Sequence, residues 1–401
     1  MALGALGLAG VIGAQSPSVA PVTRGFDLDP RLESEVWCAE PQVVDPVGLA
    51  FAADGVAYVA ECRDYPYGAG ASGRPGSTVR RLADTDGDGL PDRSTVFASD
   101  LSYATSVLPW RDGVLALAPP EIVFLQDTDG DGRADRRTVV LRGLGLGVSD
   151  SLANSLRYHL DGRVHVANGG NGGRLTSPLR EGLSVVLGDH DFAFDPDTGE
   201  VELTARTGGG FGLVFDAWGR GFTTYNIDHI QHRFLPLAHA RRNPGFPAVA
   251  ITGSISDHGD MAQIFPISEP ETRPNHPEQA GHFSAAGGMG LCESPIFPRD
   301  LQGSVFVCDV VGHLVHRDVI RPDGPVFRAS RAFEDSDREF LASRDPSFRP
   351  VGLETGPDGA LYLLDMQREV IEHPDYIPQK VRASLDLRAG QDRGRIHRIT
   401  P

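Results

Sequence analysis

Sulfur is scarce in this chain, with four cysteines and four methionines in 401 residues. None of the cysteines sits in a CxxCH arrangement, so no c-type haem is expected to be attached covalently. Basic charge is also short: 37 Lys and Arg stand against 54 Asp and Glu, a formal charge of −17. No Lys/Arg stripe offsets that field, which repels phosphate backbones and anionic lipid and argues against nucleic acid as a partner. No apolar run is long enough to cross a bilayer, so no membrane span is expected. Helical periodicity is missing before residues 328–342, the first stretch where a helix is expected. What the chain has instead is 48 Gly and 30 Pro, the composition of many short strands joined by turns.

Residues 3–12 are apolar or small and end near Ala14 and Gln15. This looks like the later part of a secretory signal peptide without its basic start, the alternative being a frayed N-terminus. Residues 1–15 are therefore set aside as signal-like, and a periplasmic or extracellular location is expected. In an oxidising compartment Cys38, Cys62, Cys292 and Cys308 could form two disulfides. Local pairs, Cys38 with Cys62 and Cys292 with Cys308, would each bracket an expected hairpin. Four buried free thiols are the other outcome.

A short strand, a turn ending in Gly and a second strand recur along the chain. The copies are GLAFAADGVAYVAE, SVLPWRDGVLALAP, SLRYHLDGRVHVAN, GLVFDAWGRGFTTY, SPIFPRDLQGSVFVCD and GLETGPDGALYLLD, with turn glycines at Gly55, Gly113, Gly162, Gly219, Gly303 and Gly359. Asp-Gly between alternating apolar runs is a strong hairpin signal, because the turn needs positive φ. Most copies are followed by a second strand pair, such as STVRRLAD with RSTVFAS and HDFAFDP with EVELTAR. Four strands used six times predict an all-β, six-bladed β-propeller. Residues 30–401 form one domain on this basis, since nothing marks the linker that two stacked sandwiches would need. The ring is expected to close in the last blade, where the orphan strand at residues 34–39 pairs with residues 394–399. The longest interval, from Gly219 to Gly303, holds an insertion at about residues 236–286, rich in Pro, His and Gly. A loop of that size is usually functional.

DTDGDGLPD at residues 84–92 and DTDGDGRAD at residues 127–135 repeat most of an EF-hand-type loop. Asp84, Asp86, Asp88 and Asp92, and likewise Asp127, Asp129, Asp131 and Asp135, supply hard oxygens suited to Ca²⁺, with a Gly at the sixth place for the sharp turn. At the twelfth place, where a bidentate Glu would complete the shell, stand Thr95 and Thr138. The loops are truncated, which implies weaker binding and a structural role. Plain Asp-Gly turns are the alternative.

With these blades in hand, the sequence resembles the soluble pyrroloquinoline-quinone glucose and sorbosone dehydrogenases, and especially the membrane-bound-dehydrogenase group abundant in planctomycetes. The likeness covers nearly the whole chain and rests on DTDGDGxxD, NSLRYHLDGRVHVANGG, FAFDPDTGEVE, GGFGLVFDAWGRGFTTYNIDHIQH, ISDHG and FRPVGLETGPDGALYLLDMQREVIEHP. It implies pyrroloquinoline quinone as cofactor, a sugar or related alcohol or aldehyde as substrate, and a quinone or a separate cytochrome c as acceptor. Members of the group often continue into helical repeats and a haem-binding domain, neither of which is reached in these 401 residues. The family's catalytic His falls on Ser151, which has no adjacent base, and its quinone-steadying Arg falls near Gly208.

Replacement bases by position are Asp150, His229 and His232, with His229 first because an imidazole titrates near neutrality without help. The ends of second strands should converge on an axial funnel holding a small-molecule or carbohydrate ligand, which nominates Glu61, Arg63, Asn168, Asn226, Asp309 and Asp365 as cofactor-binding. Asp228 stands beside His229 and His232 after the fourth hairpin, Asp257 and His258 lie in the insertion, and His313 follows the fifth hairpin. Three uses of the fold follow: an oxidoreductase module, a propeller that binds a carbohydrate or protein without catalysis, and a hydrolase or lyase.

Overall fold

The structure, a computed structural model, describes residues 25–401 apart from 69–72, 244, 246–249, 260, 270–272, 274–275 and 333–334. The signal-like residues 1–15 lie outside the described residues.

Six antiparallel sheets surround one axis. Blade 1 runs Pro46–Phe51, Ala57–Glu61, Ser77–Ala83, Arg93–Leu101, and blade 2 Ser106–Trp110, Gly113–Ala118, Glu121–Gln126, Arg136–Leu144. A hairpin, Gly173–Ser177 with Arg180–Val186, extends blade 2 from its outer strand. Blade 3 is Asn154–Tyr158, Val164–Ala167, His190–Phe194, Val201–Arg206, and blade 4 Leu213–Phe215, Gly221–Tyr225, Asp228–Arg233, Thr252–Ser254. Blade 5 starts with Ala286–Cys292, Ser304–Asp309 and Leu314–Asp323, to which both Val326–Arg331 and Leu341–Ser343 pair. Blade 6 is Pro350–Thr355, Leu361–Asp365, Arg395–Thr400 and, from the N-terminus, Glu33–Ala39.

Second strands such as Ser304–Asp309 and Leu361–Asp365 are buried along their whole length. A neighbouring blade covers each of their faces, so they read as continuous apolar runs and not as alternating ones.

The ring closes as the sequence implies. Val36 lies opposite His397 and Cys38 opposite Ile396. Trp37 seals this joint: its ring meets Tyr362 and Phe51 edge-on, and its Nε1–H donates to the Gly89 carbonyl at 2.9 Å. A further N-terminal strand, Phe26–Leu28, pairs with Leu341–Ser343 of blade 5, so the domain begins before residue 30.

Four expectations are corrected. The fifth inner strand is Ala286–Cys292, and Ser294–Gly303 is the connection, because Pro295 and Pro298 cannot donate to a ladder. The true strand was hidden by its glycines, which close approach demands: a Cβ on Gly288 would stand 1.8 Å from the Val351 carbonyl oxygen of blade 6. The helix expected at 328–342 is instead the strand Val326–Arg331, a turn and the strand Leu341–Ser343. Gly113 is a strand residue; the positive φ of that turn is taken by Arg111, at 49°. All four cysteines are free and buried, so neither local disulfide forms. The insertion is also less foreign than expected, since it supplies the fourth strand of blade 4, Thr252–Ser254.

Removing the Trp37 ring leaves a large hole across the closing joint. Trp37→Ala should lower unfolding free energy by about 3–5 kcal/mol in urea titrations. A chain starting at residue 41 should show no cooperative transition, and one that melts like the parent would rule out closure by this strand.

Candidate functional site

Antiparallel pairing inside each blade brings the start of the inner strand beside the end of the second strand at one face of the ring. Each blade therefore contributes to the wall there: Val47, Thr105, Leu152, Phe211, Gly288 and Val351 come from blades 1 to 6 in turn and line a cavity of about 140 Å³. Its polar groups are few, namely Thr105, Ser149, Asp150, Asn226, Arg273 and Glu372, with Tyr65 beside them. A mostly apolar wall with a few convergent polar groups is how small-molecule sites are built.

Asp150 enters this space from the turn ahead of the third inner strand and accepts a hydrogen bond from Ser149 Oγ at 3.2 Å. Its side chain is exposed to the funnel, with the cavity wall packed around it. Partial desolvation by that wall, reinforced by the Glu372 carboxylate, raises its pKa above the ordinary value, and the water it reaches moderates the effect. The Tyr65 hydroxyl is buried beside this carboxylate and, as a donor facing it, opposes part of that rise. Glu372 is held by Arg273 through two bonds, at 2.7 and 3.1 Å. Below the cavity, Arg368 makes a bidentate, fully buried pair with Asp45, at 2.7 and 2.9 Å. Arg349 donates to the carbonyls of Val310, Arg368 and Glu369, locking three loops together.

Among the sequence candidates, Asp150 and Asn226 line the cavity. Glu61, Asn168, Asp309 and Asp365 stand at second-strand ends as expected, yet their side chains hold the fold. Glu61 accepts from the Val44 amide and from Arg80. Asn168 bonds Gly172 N and Gly188 O. Asp309 accepts from four backbone amides and Asp365 from two plus the Gln367 side chain. Arg63 is exposed. Ser151 is half-buried behind Asp150, and Gly208 has no room for a side chain, since a Cβ would stand 2.6 Å from the Tyr225 ring.

The histidines lie elsewhere. His229 is wholly buried between blades 4 and 5, stacked on Phe283 and bonded to Asp318. His232 is buried against Phe222 and Phe327, and burial pulls its pKa down to about 4. His313 bonds Ser268 and Arg349. Asp228 holds Ser254 and Gln231, and His258 bonds Asp257.

The two acidic loops share one geometry. Asp84 accepts from Gly87 and Gly89 amides, as Asp127 does from Gly130 and Gly132. Asp92 and Asp135 close their loops on Thr85 and Thr128. In each, one oxygen from each of the three alternate carboxylates lies within 4.8 Å of the others. Each loop leans on the preceding blade: Gly89 O receives Trp37, and Ala134 N donates to Phe97 O.

Sequence reasoning missed Tyr65, Arg273 and Glu372. Glu372 stands in the VIEHP end of a motif already singled out, while Arg273 is 99 residues away in the insertion. Both stand in polar, Pro-containing stretches with other charges beside them, so no local signal singled them out.

Fold and cavity define a six-bladed propeller with an axial site sized for a small molecule. The family described as a domain of unknown function (DUF7133) matches residues 20–401, and the chain belongs to it. No curated protein matches. Among solved structures, an oxidoreductase (glucose dehydrogenase) of Thermus thermophilus is similar, at 18% identity and TM-score 0.51, over 92% of this chain and 99% of that one. The pyranose dehydrogenase PQQ domain of Coprinopsis cinerea is similar at 13% identity and TM-score 0.50, over 96% and 99%. At such identities the likeness establishes the fold.

Because the Glu372 anion helps to raise the Asp150 pKa, Glu372→Gln should lower it, the more so as Arg273 loses its partner. A carboxyl ¹³C NMR titration of the Asp-labelled chain should show one signal moving to lower pKa in this variant. No movement would mean the two groups are not coupled across the funnel.

Proposed function

We propose that the chain is an oxidoreductase-type propeller whose funnel takes a sugar or a related alcohol or aldehyde, with Asp150 accepting the proton of the substrate hydroxyl. The observation that carries this is a carboxylate of raised pKa inside a mostly apolar, water-accessible cavity on the axis. A carboxylate titrating closer to neutral pH is the stronger proton acceptor. Arg273, Asn226 and Tyr65 are placed to orient hydroxyl groups. The two electrons and remaining hydrogen of the substrate go to an acceptor of the quinone class, or onward to a cytochrome, supplied from outside the chain.

Pyrroloquinoline quinone itself does not fit the lining. It carries three carboxylates, and among the described cavity-lining residues the one cation, Arg273, is bound to Glu372, while Asp150 and Glu372 add negative charge. No step is therefore assigned to it. The same observation, with Ser151 in place of the family's base, favours a second reading: a propeller that binds a neutral carbohydrate without oxidising it.

A panel of sugars, alcohols and aldehydes with quinone or dye acceptors, with and without pyrroloquinoline quinone, separates the two. Asp150→Asn should reduce turnover by about a hundredfold or more with an unchanged melt. If the parent oxidises nothing with any acceptor yet binds a sugar, the second reading replaces the first.

Calcium in the acidic loops, and export to the periplasm or cell exterior, belong to the same proposal. The hard-oxygen donors converge, and the Gly89 and Gly87 amides hold the Asp84 carboxyl below its usual range, keeping it ionised for a cation. At free Ca²⁺ a hundredfold above Kd, one site adds about 2.7 kcal/mol to stability. Chelation should therefore lower Tm, and Asp86→Asn with Asp129→Asn should remove the Ca²⁺ dependence. A Tm indifferent to chelator and to added Ca²⁺ would return both loops to plain turns.

A further inference from the structure

Between blades 4 and 5, away from the funnel, four side chains converge, each with one buried polar atom that has no hydrogen-bond partner. His229 stands at the start of the third strand of blade 4, His316 and Asp318 lie on the third strand of blade 5, and His258 descends from the inserted segment. His229, His316 and Asp318 have no exposed side-chain surface, and His258 has 21%. One donor atom from each of the four falls within 4.8 Å of all the others.

The tautomers are set from outside the cluster. His316 Nδ1 is bound to Glu339 at 2.9 Å, and His258 Nδ1 to Asp257 at 3.0 Å. A neutral imidazole that gives its Nδ1–H to a carboxylate presents a bare Nε2 lone pair on its far side, the form a metal ion requires. Both of these Nε2 atoms point at Asp318 Oδ1, at 3.3 and 3.8 Å, and none of the three atoms has a hydrogen-bond partner. Acceptors facing acceptors in a buried site require positive charge between them. Asp318 Oδ2 meets His229 Nε2 at 2.9 Å.

We propose that His229, His258, His316 and Asp318 bind one divalent transition-metal ion of the zinc class, which pins the inserted segment to blades 4 and 5. Tetrahedral zinc with bonds of about 2.0–2.2 Å sets neighbouring ligand atoms about 3.3–3.6 Å apart. Without an ion, Asp318 Oδ1 stands 3.3 and 3.8 Å from two of the imidazole nitrogens, and all four ligand atoms lie within 4.8 Å, so small side-chain shifts complete the shell. Glu339 and Asp257 supply the outer carboxylates that orient metal-binding histidines. Glu339 is itself anchored by the Phe265 amide and by Arg331, at 3.0 and 3.1 Å. Three imidazoles with one carboxylate suit zinc, cobalt, nickel or iron better than calcium, which prefers an all-oxygen shell. Four protein ligands leave no open position, so the site is structural. His258, the one ligand with solvent contact, is the last to close. On binding, His229 gives up its Nε2 proton to solvent and both it and Asp318 become ligands.

The test uses the tag-free chain, stripped with chelator and held in excess Ca²⁺ so that hard-cation sites are saturated. Calorimetric titration with Zn²⁺, and the visible absorption of a Co²⁺-loaded sample, should give one ion per chain with the spectrum of four-coordinate cobalt. His258→Ala should weaken Zn²⁺ binding by about tenfold or more, leave the metal-free melt unchanged, and abolish the Zn²⁺-induced rise in Tm. Asp318→Asn should change the cobalt spectrum. The proposal falls if the parent binds no stoichiometric Zn²⁺ or Co²⁺, the outcome in which a protonated His316 bridges Glu339 and Asp318 instead. It falls equally if His258→Ala binds as the parent does, which would place the ion at the half-exposed group His159, Asp161 and His165.

Discussion

The pairing of Glu33–Ala39 with Arg395–Thr400 is the contact on which the interior depends. A propeller has no central core of its own; its axis is walled by six inner strands that touch only because the ring is shut. Opening one joint would leave two long sheet edges unpaired and let the inner strands part. The shut ring also explains the inner-strand glycines. At Gly48 a Cβ would stand 3.0 Å from the Ser106 Cα of the next blade, and at Gly288 it would collide with blade 6. Neighbouring blades approach to backbone contact there, which keeps the axial cavity as small as about 140 Å³.

Shutting six strands this tightly buries loop backbone at the funnel floor, and buried amides and carbonyls need partners. The chain meets that need with carboxylates and guanidinium groups. Asp309 and Asp365 at second-strand ends collect amides, and Arg349 collects three carbonyls from two loops. All but one of the 37 basic residues are arginine, the exception being Lys380. A planar fork with five donors can bridge several carbonyls or hold a carboxylate at two points, as Arg368 does with Asp45, where an ammonium acts as a single point charge.

The architecture was legible because each hairpin carries its own local signal: five of the six turn glycines do adopt positive φ, and the orphan strand at the N-terminus had one vacant edge to fill. Blade 5 was misplaced by the same logic, since AGGMGLC lacks the β-branched pattern of a strand while SPIFPRD partly imitates it. The site was less legible. Position along the repeat correctly brought second-strand ends to the funnel face, but it could not say whether Glu61 or Asp309 would point at a ligand or at backbone amides. Asp150 emerged from its place beside Ser151. Arg273 and Glu372 meet only after two distant segments fold over the axis, and no periodicity links them.

A common physical pattern joins the acidic loops to the histidine cluster. Both sit between consecutive blades and away from the axis: Gly89 O meets Trp37 of blade 6, the second loop rests on the outer strand of blade 1, and His229 faces Asp318 across blades 4 and 5. Blade-to-blade contacts near the axis are apolar and tight, but the blades splay as they leave it, and the outer gaps are where polar groups gather. In a chain of formal charge −17, the carboxylates crowded within each acidic loop repel unless a cation intervenes. Ions at the rim would then do for the outer strands what close packing does for the inner ones. The funnel wall would be left free to vary its few polar residues without loosening the ring.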